Sequence, residues 1–112
     1  MTKLSNQECE PCKGGIPALT ELEYRPYLDK LDKDWKVIDH HHLQKQFNFK
    51  NFVDALAFAN KVGIIAENQG HHPDIHLSWG KVVILIWTHK IDGLHKSDFI
   101  LAAKIDSDFY SN

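Results

Sequence analysis

The chain has 112 residues, 43% of them apolar and 25% charged, with eight histidines and a formal net charge of -2. That length supports one hydrophobic core and not two, and thirteen basic against fifteen acidic residues exclude nucleic-acid binding through a general basic surface. The longest apolar run, residues 82–87, is far short of a membrane span, and residues 1–10 lack the apolar stretch of a secretory signal, so a cytoplasmic protein with no membrane partner is expected.

Residues 1–18 read as an irregular arm, and 19–112 as a single domain. Two prolines and two glycines between Cys9 and Pro17 favour neither helix nor strand. The pair Cys9-x2-Cys12 lacks the second pair or added histidines of a zinc site and does not open a helix, so free thiols on a flexible arm are expected. The first helix begins at once after the arm: Thr20 with Glu23 makes a capping box, and Leu22, Tyr27, Leu28 and Leu31 can share an apolar stripe. Pro26 lies deep enough in this segment to kink it or delay its start.

Residues 35–39 and 43–49 alternate as two strands, joined through the run His40-His41-His42. A long helix over about 51–69 follows, with Phe52, Ala55, Leu56, Ala59, Val62, Ile65 and Ala66 at helical spacing and Gly70 as its stop. A third strand alternates over 75–79, Gly80-Lys81 turns the chain, and 82–88 form an apolar strand. The last helix spans about 96–109. The order α-β-β-α-β-β-α predicts an α+β two-layer sandwich, a four-stranded antiparallel sheet with three helices on one face. If Val82, Ile84 and Ile86 face the helices, then Val83, Leu85 and Trp87 need cover on the other side, and a second subunit would supply it.

Chemistry is concentrated at the element junctions. Glu67, His71, His72 and Pro73 stand where the long helix gives way to the third strand, His89 ends the fourth strand, and Asp98 opens the last helix. Pairing of the last two strands would bring His71, His72 and His89 together, with Glu67 one helical turn behind. Pro73 restricts His72. Three imidazoles and a carboxylate suit proton transfer near neutral pH. Glu67, His71 and His89 also match a two-histidine, one-carboxylate metal set, although the helical His-x3-His spacing of common metalloenzymes is missing. His40, His41, His42, His76 and His95 are read as surface or structural residues, and an acidic residue at Asp98 is favoured by the helix dipole alone.

The pattern Glu67-x3-His71-His72-Pro73, then Thr88-His89, then Gly93-Leu94-x3-Asp98 resembles the signature of the pterin-4a-carbinolamine dehydratases. Trp35, the stretch Phe47-Asn-Phe49-Lys-Asn-Phe52, and Leu101-Ala102-x2-Ile105-Asp106 resemble the family as well, so the likeness covers roughly residues 19–107. Two positions depart from it: His95 stands where the family usually has a helix-capping threonine, and Gly70 where some members carry an aspartate. The resemblance implies a hydro-lyase that dehydrates 4a-hydroxytetrahydropterin to quinonoid dihydropterin, with no metal and no cofactor, after an aromatic amino acid hydroxylase has used the tetrahydropterin. It implies acid–base roles for His71 and His89 and a binding role for His72. Glu67 would orient a histidine, and Asp98 would tune His89 or position the pterin. Pro73, Trp87 and Thr88 are expected substrate contacts. A homodimer or homotetramer is implied. Animal relatives that bind a homeodomain transcription factor leave a regulatory binding module as the alternative.

Overall fold

The computed structural model describes residues 3–10 and 14–111, so the Cys12 half of the two-cysteine motif lies outside the described residues. Seven main elements run in the expected order: α1 (Glu21–Leu28), β1 (Lys36–Ile38), β2 (His42–Asn48), α2 (Phe52–Gln69), β3 (Asp74–Ser78), β4 (Lys81–Ile86) and α3 (Lys96–Tyr110). Short 3-10 turns at Leu4–Asn6 and His89–Ile91 complete the description. The strands form one antiparallel sheet in the order β1-β2-β4-β3.

Local chemistry starts and stops these elements. Thr20 and Glu23 form the reciprocal capping box at α1: the Thr20 hydroxyl accepts from the Glu23 amide at 3.3 Å, and the Glu23 carboxylate accepts from the Thr20 amide at 2.9 Å. The helix ends at Leu28, two residues after Pro26, so its stripe is short. Tyr24 is the residue it buries, against Phe99, while Leu22 is 87% exposed and does not belong to the packed face expected for it. The β1–β2 turn has left-handed φ at Asp39 (53°) and His40 (56°), the backbone that a tight hairpin turn demands of its two central residues, and the His41 amide closes it onto the Ile38 carbonyl at 2.9 Å. Asn51 caps α2 by accepting from the Asp54 amide at 2.8 Å, and Gly70 stops it in the left-handed conformation with φ 62°.

The sheet has one buried face. Leu43, Lys45 and Phe47 of β2 pair with Ile86, Ile84 and Val82 of β4, and all six are buried beneath the helices. The opposite face carries Gln44, Gln46, Val83, Leu85, Asp74 and His76, exposed or half-buried, as the alternation of β4 predicts. Burying each of the large apolar side chains contributes about 1.5–3 kcal/mol against leaving it in water.

One buried position is charged. The Lys45 ammonium, 3% exposed, donates to Asp106 at 2.8 Å, to Asp32 at 2.6 Å and to the Tyr110 hydroxyl at 3.2 Å. It lies 4.6 Å from the centroid of the Phe47 ring and 5.0 Å from that of Tyr110, while the Trp35 indole N–H donates to the other Asp106 oxygen at 2.8 Å. Every donor of the ammonium therefore has an acceptor, which is what a buried cation requires. Trp35, immediately before β1, is a core residue with this polar task.

The arm is better anchored than its composition suggests. Leu4 is 6% exposed and packs into the core cluster, and the Lys104 ammonium donates to the Ser5 carbonyl at 3.0 Å. Among the described residues, no helix is long and apolar enough to cross a membrane.

Candidate active site

The end of α2, the end of β4 and the start of α3 meet at one edge of the sandwich. Asp98 is the hub. Its side chain is fully buried, at 0% exposure, in the first turn of α3. One carboxylate oxygen accepts from His71 Nε2 at 2.5 Å; the other accepts from the Thr88 hydroxyl at 2.9 Å and the His95 backbone amide at 2.8 Å. A buried carboxylate with three donors is satisfied as an anion, and its place at a helix N-terminus adds favourable dipole interaction. An ionised carboxylate only accepts, so this bond is made from a proton on His71 Nε2 and leaves Nδ1 as the ring nitrogen turned away from Asp98.

The chain reaches this geometry through local devices. Gly70 turns the chain out of α2, and the His71 amide still bonds back to the Ala66 carbonyl at 3.2 Å. Thr88 and Gly93 pair as an isolated bridge, which folds the 3-10 turn His89–Ile91 back on itself. Gly93 has no room for a side chain, because a Cβ there would lie 2.4 Å from the Ala18 Cβ. At the start of α3 the expected threonine cap is absent, and the imidazole does its work: His95 Nδ1 accepts from the Ser97 amide at 3.2 Å.

The other expected residues fall into two further groups. His72 is exposed and pairs through Nε2 with the Glu67 carboxylate, also exposed, so Glu67 serves His72 and not His71. His89 is exposed, with its ring 4.5 Å from that of Trp87. Asp98, expected to tune His89 or to position the pterin, has His71 as its histidine partner. Thr88 is buried with its hydroxyl given to Asp98, so its place is behind the histidine. Pro73 is half-buried between His72 and β3.

Two histidines set aside in the sequence stand beside this group. The rings of His41 and His42 lie 5.2 Å and 5.9 Å from that of Trp87, and His41 Nε2 pairs with Asp92 at 2.7 Å. The signal was the hairpin register: Leu43 opposes Ile86, so the next position along, His42, falls beside Trp87. Among the described residues, no group of three His, Cys, Asp or Glu side chains is arranged to hold a metal ion.

The chain is thus a small α+β sandwich that buries a carboxylate behind a histidine at a helix N-terminus, and comparison with known proteins gives its family. The family model described as pterin 4 alpha carbinolamine dehydratase matches residues 17–107. A relative from Alkaliphilus metalliredigens named for that activity is 52% identical, over 95% of this chain and 96% of its own. Another, from Rubrobacter xylanophilus, is 51% identical over 95% and 98%. The crystal structure of a transcriptional coactivator/pterin dehydratase from Brucella melitensis superposes with a TM-score of 0.74 at 30% identity, covering 80% of this chain and 96% of that one. The chain belongs to the pterin 4 alpha carbinolamine dehydratase family, and so to the hydro-lyases.

Proposed function

We propose that the protein dehydrates 4a-hydroxytetrahydropterin to quinonoid dihydropterin by histidine acid–base catalysis, and so recycles, in the cytoplasm, the cofactor of an aromatic amino acid hydroxylase. The carrying observation is the His71–Asp98 pair, a histidine held by a fully buried carboxylate at 2.5 Å. In the reaction the ring nitrogen beside the hydroxyl-bearing carbon supplies its electron pair as the C–O bond breaks. An acid protonates the departing hydroxyl, a base removes a ring N–H proton, and the net loss is one water with no electrons exchanged. His71 and His89 carry the two proton transfers, and Asp98 stabilises the imidazolium form of His71. His72, steadied by Glu67, contributes binding and charge. Trp87 offers an aromatic surface beside His89 for a flat heterocycle, and Pro73 and Thr88 are the other substrate contacts of this reading. The test is a stopped assay of quinonoid dihydropterin formation from freshly generated 4a-carbinolamine. Catalysed formation is expected, and a rate equal to the uncatalysed one would overturn the reading.

The same reading includes a homodimer or homotetramer. Val53 and Ile64 are 73% and 62% exposed, and with Leu56 they lay an apolar stripe along the outside of α2, while Val83 and Leu85 remain half-exposed on the sheet. Light scattering at micromolar concentration should report a mass of two or four chains, and a stable monomer would count against it. A binding-module reading draws on the same stripe and on the likeness to the Brucella protein, which is named a transcriptional coactivator as well as a pterin dehydratase. It requires a folded protein without dehydratase turnover, so the assay separates the two.

A further inference from the structure

The arm reaches the site from behind. Gln69, the last residue of α2, accepts the Cys9 amide on its side-chain oxygen at 2.8 Å and donates its side-chain nitrogen to the Glu8 carboxylate at 2.7 Å. Ser97, 2% exposed in the first turn of α3, accepts the Glu10 amide on its hydroxyl at 3.0 Å and donates that hydroxyl to the Glu10 carbonyl at 3.1 Å. The Cys9 thiol adds a contact to the Ser97 carbonyl at 3.5 Å. Gln69 stands two residues before His71, and Ser97 immediately before Asp98. Residues 8–10 therefore bridge the two elements that deliver the halves of the His71–Asp98 pair.

That bridge has something to restrain. Gly70 is in the left-handed conformation and the strand ladder begins only at Asp74, so residues 70–73 have no sheet partner to fix them. Helix ends fray by a residue or two, and a donor displaced by about 1 Å costs a proton-transfer site up to a hundredfold in rate. The anchors at Leu4 and Ser5 hold the arm itself to α3.

We propose that residues 8–10 form a clasp across the α2–α3 junction, with Gln69 and Ser97 as positioning residues that set the His71–Asp98 hydrogen bond. Burial pushes the Cys9 thiol up to about 11, so it stays a neutral donor to the Ser97 carbonyl and puts no second negative charge beside Asp98. The catalytic half of the claim rests on the dehydratase reading above; the geometric half does not.

The test uses full-length Gln69→Ala, Ser97→Ala and the double variant, each verified as folded by a cooperative thermal transition. Histidine labelled with 15N allows the His71 Nε2 proton, downfield through its bond to Asp98, to be followed by NMR, with His71→Ala giving the assignment. The signal should be sharp in wild type and broadened by solvent exchange in each variant. Turnover of 4a-carbinolamine should fall about tenfold with KM little changed, and the double variant should lose no more than the worse single one, because both act through one clasp. A sharp signal in folded single variants overturns the clasp, whether or not turnover falls, since any loss would then arise elsewhere. Multiplicative losses in the double variant overturn it too. If wild type shows no turnover, the dehydratase reading fails, and the proton signal alone decides the clasp.

Discussion

The His71→Ala and His89→Ala enzymes are expected to dehydrate 4a-carbinolamine roughly a hundredfold or more slowly than wild type, the range usual for loss of a general acid or base. The two positions should differ in kind. His71 is held through Nε2 by a buried carboxylate, so its removal also strands Asp98 with one donor fewer and should cost some stability. His89 is exposed and packs on Trp87, so its removal should leave the melting temperature nearly unchanged. The double replacement should cost less than the product of the two, because both groups act on one transition state. His72→Ala should raise KM more than it lowers kcat, and His76→Ala, exposed on the outer sheet face, should do little. Steady-state turnover measured beside thermal unfolding checks the whole set. Wild-type turnover in folded His71→Ala and His89→Ala proteins would remove these histidines from the chemistry.

The second large effect concerns the buried lysine. Lys45→Met should destabilise the protein by about 3–5 kcal/mol near neutral pH, because it leaves the Asp106 carboxylate buried without its cation. Burial already raises the Asp106 carboxyl above its ordinary 3.8, against the pull of Lys45. Without the lysine it rises further. A carboxyl whose folded pKa lies above its unfolded value keeps full stability below the unfolded value and loses it as pH rises. The deficit of Lys45→Met should therefore be largest at neutral pH and shrink toward pH 4. In wild type, desolvation works against the lysine's charge, but bonds to Asp106, Asp32 and Tyr110 outweigh it and raise the Lys45 ammonium above its ordinary 10.5. That contribution is complete below 10.5 and disappears as the solution becomes more alkaline. Asp32, lowered from 3.8 first by its bond to Lys45, contributes above that value and loses its share only as pH falls through its depressed pKa. Urea unfolding of wild type and Lys45→Met from pH 2 to 12 would reveal both limbs, and a deficit that grows on acidification from neutral pH to pH 4 would refute the assignment.

The order of elements was legible in the sequence because independent local signals agreed. The Thr20–Glu23 box, the glycine after α2 and the strict alternation of β4 each mark one boundary or face, and tertiary packing had no reason to override them. Less legible was the partner of each side chain. Asp98 and Glu67 were both placed near histidines, but which histidine each would take depends on side-chain reach at a three-element junction, and spacing carries no information on that. The burial of Lys45 was hidden for a related reason. Alternation with Leu43 and Phe47 points it inward, yet a lysine survives there only because Asp106, 61 residues further on, arrives to meet it. Leu22 failed in the opposite sense: a helical stripe was drawn through a helix too short to bury it. The arm was undervalued because Gly and Pro signal irregular backbone, and irregular backbone is a different property from weak attachment.

Asp98 closes the first turn of α3, restrains the chain just beyond β4 through Thr88 and holds His71, all with two oxygen atoms. Selection for a working enzyme and selection for an abundant, folded one thus act on the same carboxylate. A lineage that abandoned pterin chemistry and kept the sandwich as a docking scaffold would be penalised more for losing this aspartate, which leaves three donors without an acceptor, than for losing the half-buried His71, which leaves the aspartate two donors. On the proposed reading of His71, retention of the aspartate alone would therefore say less about whether a member of the family is still an enzyme than retention of the histidine in front of it.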